Sequence, residues 1–267
     1  MKNVLVTGAA GGMGLEVCKR LRDDGYRVFG LDKTDFLCEG VEKILCDITS
    51  EYEVAEAIDK IRECTHELYA VVHTAGIYDL DSLVEMDEVR FRRIFDINLF
   101  GVYRINKLAL PLLSSGSRII ITTSELAPLD PLPFTGIYGI TKTALEKYAF
   151  SLRMELNLLG IGVSVIRPGA VKTKLLSAST DALDRFCEGT ENYKCNAERF
   201  RKIVDSVESR SISPERIASL ISSALSAKRL RLVYNINRNR LLRLLCILPD
   251  RLQIWIIKQI LKSKKEI

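Results

Sequence analysis

A tyrosine and a lysine four positions apart, Tyr138 and Lys142, have the residue types and the spacing for acid/base chemistry. They fall in a predicted helix, where this spacing places both side chains on one face. A free phenol has a pKa of about 10 and is a poor base near neutrality, but a nearby cation stabilises the phenolate and lowers that pKa. Many helices carry such a pair without using it. Here Ser124 at the end of a predicted strand and Asn98 at the head of a predicted helix accompany it, so the set predicts a general acid/base.

The segment Thr7-Gly8-Ala9-Ala10-Gly11-Gly12-Met13-Gly14 stands between a predicted strand and a predicted helix. Glycines permit a tight turn and let the backbone approach a pyrophosphate, which then faces the helix N-terminus and its dipole. The same residues could form a plain strand-to-helix turn, and their spacing differs from the G-x-G-x-x-G fingerprint. The context of strand, turn and helix nevertheless predicts a dinucleotide site.

Asp32 ends the second predicted strand, eighteen residues after Gly14. A carboxylate there accepts hydrogen bonds from the hydroxyls of an adenosine ribose and repels a 2′-phosphate, which favours NAD over NADP. Lys33 could partly neutralise that repulsion or could be a solvated surface charge. Asp47 and Ile48 follow the third strand and are predicted to lie along the adenine pocket, although Asp47 could also cap a helix or a turn.

The elements that must position these residues alternate between strand and helix. Predicted strands cover residues 2–6, 27–31, 43–46, 68–73, 118–122, 162–166 and 230–234. Predicted helices cover residues 13–21, 51–62, 98–113, 138–159 and 214–227. This order predicts an α/β fold over residues 1–235, with a single Rossmann-like, doubly wound parallel sheet and helices on both faces. Residues 174–212 are polar and weakly patterned and are predicted to form a mobile lid.

Taken together, these segments resemble the short-chain dehydrogenase/reductase family, in the right order over about residues 2 to 235. The family's motifs are matched by Thr7, Gly8, Gly12 and Gly14 in the turn, by Asn98, by Ser124, by Tyr138 and Lys142, and by Pro168, Gly169, Val171 and Thr173 in the segment that faces the nicotinamide. Several separate motifs in one order are far more specific than any one of them.

The resemblance implies an NAD-dependent oxidoreductase that interconverts a secondary alcohol and a ketone. In this family Tyr138 would donate or remove the hydroxyl proton, while Lys142 would lower its pKa and bind the nicotinamide ribose. Ser124 would hydrogen-bond the substrate oxygen, and Asn98 would hold a water for proton relay. Met13, Ala75 and Gly76 would complete the cofactor contacts. The resemblance also implies a homodimer or homotetramer.

Two departures from the family pattern concern the site. Where the family usually has Asn-Asn-Ala-Gly, this chain has His73-Thr74-Ala75-Gly76. We expect His73 to be a structural residue satisfied by the backbone rather than a catalytic one. The stretch from Ser124 to Tyr138 is one residue longer than is common and carries three prolines, which bears on the substrate pocket rather than on the chemistry. Gly11 stands where NADP-using relatives often carry a basic residue, in agreement with NAD.

The substrate residues are harder to identify from the pattern. Leu126 and Phe134, with Leu175, Leu176 and Phe186 of the lid, could line an apolar pocket for a steroid, a retinoid or another hydrophobic secondary alcohol. Each could equally be a core contact, and sugars, acyl chains and polyols stay open. Two other classes of protein also stay open: a non-catalytic nucleotide-sensing or interaction module, and an epimerase or dehydratase that recycles its cofactor.

The composition excludes several classes of protein. Of the 267 residues 47% are hydrophobic and 27% charged, which excludes an intrinsically disordered chain. Seven cysteines without paired spacing predict reduced thiols in a cytoplasmic protein. With two histidines, a histidine metal site or a Ser-His-Asp triad is poorly supplied, so no metal is expected.

The net charge of +5 is concentrated near the C-terminus. From Lys228 onward eleven basic residues accompany two acidic ones, a net +9 that leaves −4 for the rest of the chain. At helical spacing Arg251, Trp255, Lys258 and Lys262 share a stripe opposite a wide face of leucine and isoleucine. We expect this extension, residues 236–267, either to lie on an anionic membrane surface or to pack on its own subunit or a neighbouring one and cap the substrate cleft. No uncharged stretch of it is longer than residues 244–249, far short of the about 20 residues that span a membrane, and nothing else indicates nucleic-acid binding.

Overall fold

In the part of the chain that this computed structural model describes, residues 1–208 and 210–262 without the side chains of 174–178, 207 and 208, seven parallel strands form one sheet. The strands are β1 (Asn3–Thr7), β2 (Arg27–Asp32), β3 (Val41–Leu45), β4 (Leu68–His73), β5 (Leu113–Thr122), β6 (Gly162–Pro168) and β7 (Val233–Ile236). They lie in the order β3-β2-β1-β4-β5-β6-β7. The predicted doubly wound parallel sheet is confirmed.

Helices cover both faces of this sheet. They are α1 (Gly12–Asp23), α2 (Glu51–Cys64), α3 (Glu88–Phe95), α4 (Gly101–Ala109), α5 (Gly136–Asn157), α6 (Lys174–Gly189), α7 (Lys194–Glu208), α8 (Pro214–Ser226), α9 (Arg240–Leu245) and α10 (Asp250–Leu261). Successive residues of a strand point to opposite faces, yet Val4, Leu5 and Val6 of β1 are all fully buried. They are buried because α1 and α8 pack on one face while α2, α4 and α5 pack on the other.

The strand order reverses between β1 and β4. From β1 the chain runs outward to β3 and then returns past β1 to β4, so the loops after β1 and β4 diverge. In an open parallel sheet such a reversal leaves a crevice at the carboxyl ends of the strands, where ligands bind. The motifs singled out in the sequence follow β1, β4, β5 and β6 at this edge.

Asn98 lies inside a long helical segment rather than at the head of a helix. The segment begins at Glu88, because the side chain of Asp87 accepts a hydrogen bond from Val89 N and caps α3. A π-helical turn (Asp96–Phe100) contains Asn98 and joins α3 to α4. The charged sequence of α3 hid this start, and the predicted end at residue 113 was also wrong, since Leu113 already belongs to β5.

Residues 174–212 are more regular than their pattern indicates, because α6 and α7 occupy most of this segment. Leu183 and Phe186 of α6 and Phe200 of α7 bury themselves together with Leu80 and Phe134 in one apolar cluster. Burial against this cluster, rather than local propensity, stabilises the two helices. The weak pattern of the segment did not indicate these two helices, and its role as a mobile lid stays a prediction.

The C-terminal extension forms α9 and α10. The helix α10 lies against α7, where Asn196 Nδ2 donates to Leu261 O at 2.8 Å and Arg199 Nη1 donates to Ile260 O at 3.2 Å. The buried Gln253 Nε2 donates to Leu248 O at 2.9 Å. One side of the extension therefore packs on the protein, as one of the two sequence-based alternatives required. Within the described residues no helix has the length and apolar character to cross a membrane.

Candidate active site

A cavity of about 780 Å³ opens at the carboxyl edge of the sheet. Among the residues predicted from sequence, its lining includes Gly8, Gly12, Met13, Gly14, Gly76, Ser124, Leu126, Tyr138, Lys142, Pro168, Gly169, Val171 and Thr173. The structure thus brings the glycine turn, the serine, the tyrosine and the lysine to one cavity. In the chain the cavity residues named above extend over 165 positions, from Gly8 to Thr173.

The turn between β1 and α1 is packed so closely that side chains do not fit. Gly8 has a φ of +74°, and a Cβ there would lie 2.6 Å from Ala75 N. A Cβ on Gly14 would lie 2.0 Å from Gly8 O, and one on Gly12 would lie 3.0 Å from Thr173 Cγ2. Glycine lets the turn pack this tightly, and Gly8, Gly12 and Gly14 line the cavity at the N-terminus of α1 with no side chain of their own between the backbone and a bound pyrophosphate.

Two threonines join this turn to the loop after β4. Thr74 Oγ1 donates to Thr7 O at 2.6 Å, and Thr74 N donates to the same oxygen at 3.2 Å. Ala75 N donates to Thr7 Oγ1 at 3.4 Å. Thr74, which departs from the family pattern, thus holds the two loops together. Thr7 and Ala75 support the cavity from behind rather than line it.

The carboxylate of Asp32 lies against the glycine turn. Its Oδ2 accepts a hydrogen bond from Ala10 N at 3.0 Å, and its Oδ1 accepts one from Thr34 N at 2.9 Å. The negative charge is therefore fixed beside the turn, at the position predicted for the adenosine ribose. Lys33 beside it is exposed.

Asp47 and Ile48 have structural contacts of their own. The carboxylate of Asp47 accepts hydrogen bonds from Thr49 N and Thr49 Oγ1 at 2.9 and 2.8 Å, so it caps a turn. Burial raises the pKa of Asp47, but these hydrogen bonds and the charges of Lys33 and Arg93 outweigh it, and the net shift is downward. Ile48 is buried against Gly101, and a Cβ added to Gly101 would lie 2.6 Å from Ile48 Cδ1. Both residues lie outside the lining of the main cavity.

Ser124, Tyr138 and Lys142 lie at the floor of the cavity, nearly inaccessible to solvent. Ser124 and Tyr138 are joined by a hydrogen bond between their side chains, and Ser124 Oγ also accepts one from Leu126 N at 3.2 Å. Lys142 Nζ donates to Thr122 O at 3.3 Å, at the end of β5. The ammonium lies 5.7 Å from the centroid of the Tyr138 ring.

Burial shifts the pKa of both ionisable groups. It raises the pKa of Tyr138 to about 12, and the hydrogen bond with Ser124 offsets only part of this rise. It lowers the pKa of Lys142 to about 8. For Tyr138 the direction is opposite to the lowering expected from the neighbouring lysine, because removal of the phenolate from water dominates. Near neutrality the phenol is therefore protonated and is a proton donor.

Asn98 connects three parts of the site. Its Oδ1 accepts from Ile77 N at 2.9 Å, while its Nδ2 donates to Ile77 O at 3.0 Å and to Thr141 Oγ1 at 3.1 Å. A Cβ on Gly76 would lie 3.2 Å from Asn98 Oδ1 and 3.4 Å from Lys142 Nζ, so the amide and the ammonium are near each other. Asn98 is fully buried and fixes the loop after β4 against α5.

His73 lies behind the site and not in the cavity lining. Its Nε2 is 2.8 Å from Asn106 Oδ1, and Asn106 Nδ2 donates to Tyr148 OH at 3.1 Å. Burial lowers the pKa of His73 to about 4, despite the hydrogen bond with Asn106. The neutral imidazole thus links β4 to α4 and α5. This fits the predicted structural role. The partner of Nε2 is the side chain of Asn106, however, and not the backbone as expected.

The proposed substrate residues separate into two groups. Leu126 lines the cavity. Phe134 and Phe186 instead pack on each other, with ring centroids 4.5 Å apart, inside the aromatic cluster that also holds Phe200. Their packing agrees with the alternative of core contacts. The side chains of Leu175 and Leu176 lie outside the described residues.

Several cavity residues are not evident from the sequence pattern. Tyr78 places its ring 4.8 Å from that of Tyr138. Asp79 accepts hydrogen bonds from Arg90 Nη2 and Arg185 Nη2, both at 2.7 Å, and these three also line the cavity. Arg185 is 106 residues from Asp79, so no local spacing reveals this pair. Glu125 could have been noticed because it directly follows Ser124.

The short chain dehydrogenase family model matches residues 2–184, which include the glycine turn, Ser124, Tyr138, Lys142 and the segment after β6. The chain belongs to the short-chain dehydrogenase family. Members of this family are oxidoreductases that act on CH–OH groups with NAD or NADP. The family assignment made from the motifs is confirmed.

Individual relatives agree with the family. YbbO, an uncharacterized oxidoreductase of Escherichia coli (strain K12), is 33% identical over 180 residues, which are 65% of this chain and 67% of that protein. Estradiol 17-beta-dehydrogenase 2 of Mus musculus is 32% identical over 197 residues, 69% of this chain, and the match spans about half, 51%, of the mouse protein. A short chain dehydrogenase family protein from Francisella tularensis subsp. tularensis SCHU S4 has the same fold, with a TM-score of 0.74 at 23% identity over 88% of this chain and 97% of that one.

Replacing Lys142 with methionine is expected to stabilise this short-chain dehydrogenase. A fall in the lysine pKa from 10.5 to about 8 corresponds to roughly 3 kcal/mol of destabilisation when the buried amine is protonated. Between those pH values the unfolded chain binds more protons than the folded one, so this cost develops as the pH falls and is complete below pH 8. Denaturant unfolding at neutral pH should show Lys142→Met to be more stable by roughly 1–3 kcal/mol.

The same measurement near pH 10 should show a smaller difference, since the wild-type lysine is then mostly neutral. Lys60→Met, at an exposed position of α2, is the control and should change stability little at either pH. A stability gain at Lys142 that does not depend on pH would contradict the assignment of the cost to the buried charge.

Proposed function

We propose that this protein is an NAD-dependent dehydrogenase that interconverts a hydrophobic secondary alcohol and its ketone. The observation that carries the proposal is that Ser124, Tyr138 and Lys142 line the same cavity as the bare backbone of the glycine turn. A hydroxyl, a phenol and an ammonium beside that turn are the groups needed for proton transfer next to a dinucleotide. When bound, the dinucleotide supplies or accepts the hydride at its nicotinamide ring.

Residues at the carboxyl edge of the sheet would hold the dinucleotide. The backbone of the glycine turn would bind the pyrophosphate, and the carboxylate of Asp32 would accept the adenosine ribose hydroxyls. Lys142 would bind the nicotinamide ribose, and residues 168–173 would face the nicotinamide. Asp47 and Ile48 would border the adenine pocket through the loop after β3.

In the reducing direction Tyr138 donates its phenolic proton to the carbonyl oxygen of the substrate. Its raised pKa keeps that proton in place near neutrality. The hydroxyl of Ser124, held beside the phenol, donates a hydrogen bond to the same oxygen and stabilises its developing charge. Oxidation of an alcohol needs the phenolate, so raising the pH favours it. Asn98 acts as a positioning residue beside Lys142. We also propose that Asn98 holds a water that relays protons to Lys142.

An apolar substrate body is supported by the lining of the cavity. Leu126, Leu132, Phe200, Ile203, Val204 and Leu242 provide apolar surface there. The ion pairs of Asp79 with Arg90 and Arg185 add a charged region to the same lining. One relative is named an estradiol 17-beta-dehydrogenase, so hydroxysteroids are the first class of alcohol to test.

Substitution of Tyr138 by phenylalanine is expected to lower kcat for alcohol oxidation by roughly a hundredfold or more, since the proton acceptor is lost. The measurement is NADH formation across a panel of hydroxysteroids and other hydrophobic secondary alcohols. Tyr148→Phe removes a phenol from the same helix outside the cavity lining and should keep most of the activity. Turnover that survives Tyr138→Phe would show that the proposed chemistry is wrong.

The choice of NAD rests on the carboxylate of Asp32 beside the turn. Asp32→Asn removes the charge that repels a 2′-phosphate, and the ratio of kcat/KM for NAD to that for NADP should fall by about tenfold. Asp35→Asn, which removes an exposed charge three positions away, is the control and should leave the ratio unchanged. Unchanged discrimination in Asp32→Asn would mean that other residues select the cofactor.

A homo-oligomer is supported by a broad apolar surface on α4 and α5. The two helices are joined through the hydrogen bond of Asn106 Nδ2 with Tyr148 OH. The exposed apolar side chains on them, on the π turn and directly after α5 are Phe100, Tyr103, Phe150, Met154 and Leu158. Large apolar patches of this kind are typical of interfaces, so we propose that a second copy of the chain covers them.

Glutamate at Met154 is expected to shift the protein toward monomers, because two copies would bury unpaired charges against each other. Light scattering coupled to gel filtration measures the mass. Leu37→Glu, at a leucine that is 94% exposed in the loop between β2 and β3 and outside α4 and α5, is the matched control and should leave the mass unchanged. A wild-type protein that is already monomeric at micromolar concentration would refute the proposed interface.

A further inference from the structure

The C-terminal extension exposes an apolar ridge that the fold does not use. Leu241, Leu244 and Ile247 recur every three residues and are 67%, 61% and 77% exposed. Leu242 between them lines the main cavity, so α9 has one side on the cavity and the ridge on another. Trp255 of α10 is also 57% exposed. We call these four exposed side chains, Leu241, Leu244, Ile247 and Trp255, the tail face.

The charges around the tail face have one sign. The exposed basic residues of the two helices and their ends are Arg240, Arg243, Arg251, Lys258 and Lys262. Between positions 237 and 262 the sequence contains one acidic residue, Asp250. Residues 1–227, in contrast, carry a net charge of −4. An anionic surface would therefore attract the tail face and repel the rest of the molecule, which selects one orientation.

A second cavity, of about 230 Å³, lies at the base of the extension and reaches Leu241 of the ridge. Arg210, Arg238 and Arg240 line it. The Nε atom of Arg238 is buried and has no hydrogen-bond partner among the described residues. Glu125 also lines the cavity, but its carboxylate accepts a hydrogen bond from Asn239 N. Three guanidinium groups against one carboxylate leave the cavity cationic and suited to a phosphate group.

We propose that the tail face docks the protein on a membrane surface that contains anionic phospholipids, with the arginine-lined cavity taking the phosphate of a lipid headgroup. Leucine, isoleucine and tryptophan side chains enter the interfacial region of a bilayer, while arginine and lysine at its edge pair with anionic headgroups. Two separate observations, the apolar ridge and the cationic cavity, meet at Leu241. The docking is peripheral and does not depend on the dehydrogenase proposal.

Vesicle binding of the full-length chain tests this proposal directly. Vesicles of phosphatidylcholine with about 30% phosphatidylserine should sediment the protein, and vesicles of phosphatidylcholine alone should sediment much less. Added salt should weaken the binding, because the attraction is screened. Trp255 is the single tryptophan of the chain, so its fluorescence should shift to shorter wavelength when the anionic vesicles are added.

Point variants separate the two contributions. Arg240→Gln with Arg243→Gln should lower the partition coefficient about 25-fold, at about fivefold for each basic residue near the surface. Leu241→Ser with Leu244→Ser and Ile247→Ser should abolish the tryptophan shift. Arg62→Gln with Arg92→Gln, and Leu37→Ser with Val84→Ser and Val89→Ser, make the same number of comparable changes at other exposed sites and should bind like the wild type.

Three results would overturn the proposal. The first is that the wild type sediments equally with both kinds of vesicle, or that the tail variants sediment with anionic vesicles as much as the wild type does. The second is saturable binding of glycerol 3-phosphate that is lost in Arg238→Gln, without vesicle binding, since the cavity would then serve a soluble phosphate. The third is a fall in molecular mass in the serine variant without vesicle binding, which would assign the tail face to a second copy. All are measured without cofactor or substrate, so an inactive enzyme would not affect the outcome.

Discussion

The parallel pairing of β1 with β4 determines where the functional residues of this protein lie. It places Thr7 beside His73 and the glycine turn beside the loop after β4, so that Gly8 has no room for a side chain next to Ala75 N. The polypeptide leaves both β1 and β4 at the carboxyl edge of the sheet. The strands β5 and β6 continue the sheet, so Ser124 and Pro168 lie at the same edge. The site is thus a consequence of strand order, with side chains added to an edge that the topology leaves open.

The polar groups gathered at that edge are expensive to bury. Lys142 has one backbone carbonyl as a partner, and the hydroxyl of Thr122 is buried without a hydrogen-bond partner among the described residues. Burial shifts the pKa of the lysine downward and that of Tyr138 upward, in each case away from the charged form. The apolar packing of strands and helices on both faces of the sheet provides the folding stability that offsets the cost of burying these polar groups. His73 follows the same rule, since it is neutral and bound to Asn106.

Charge divides the molecule into an acidic body and a basic C-terminal extension. The acidic body contains the glycine turn and the main cavity, and the basic extension lies beyond β7. The helix α9 borders both, because Leu242 lines the main cavity while Leu241 and Leu244 face outward. A basic isoelectric point, near 8.8, therefore reports on the extension and says nothing about the chemistry. The apolar surface on α4 and α5 is a separate feature, suited to a second copy of the chain.

The sequence by itself determined the sheet, its parallel character, the family and the positions of the family's motifs. It could do so because a buried parallel strand is a local apolar run and because glycine, tyrosine and lysine spacing within one turn or one helix is local too. Only the tertiary structure decided that Phe134 and Phe186 pack on each other, that residues 174–208 are mostly helical, and that Asp79 pairs with Arg185. The tertiary structure also decided that the pKa of Tyr138 is raised rather than lowered. Burial and contacts between distant residues depend on the whole chain being folded, so no local pattern contains them.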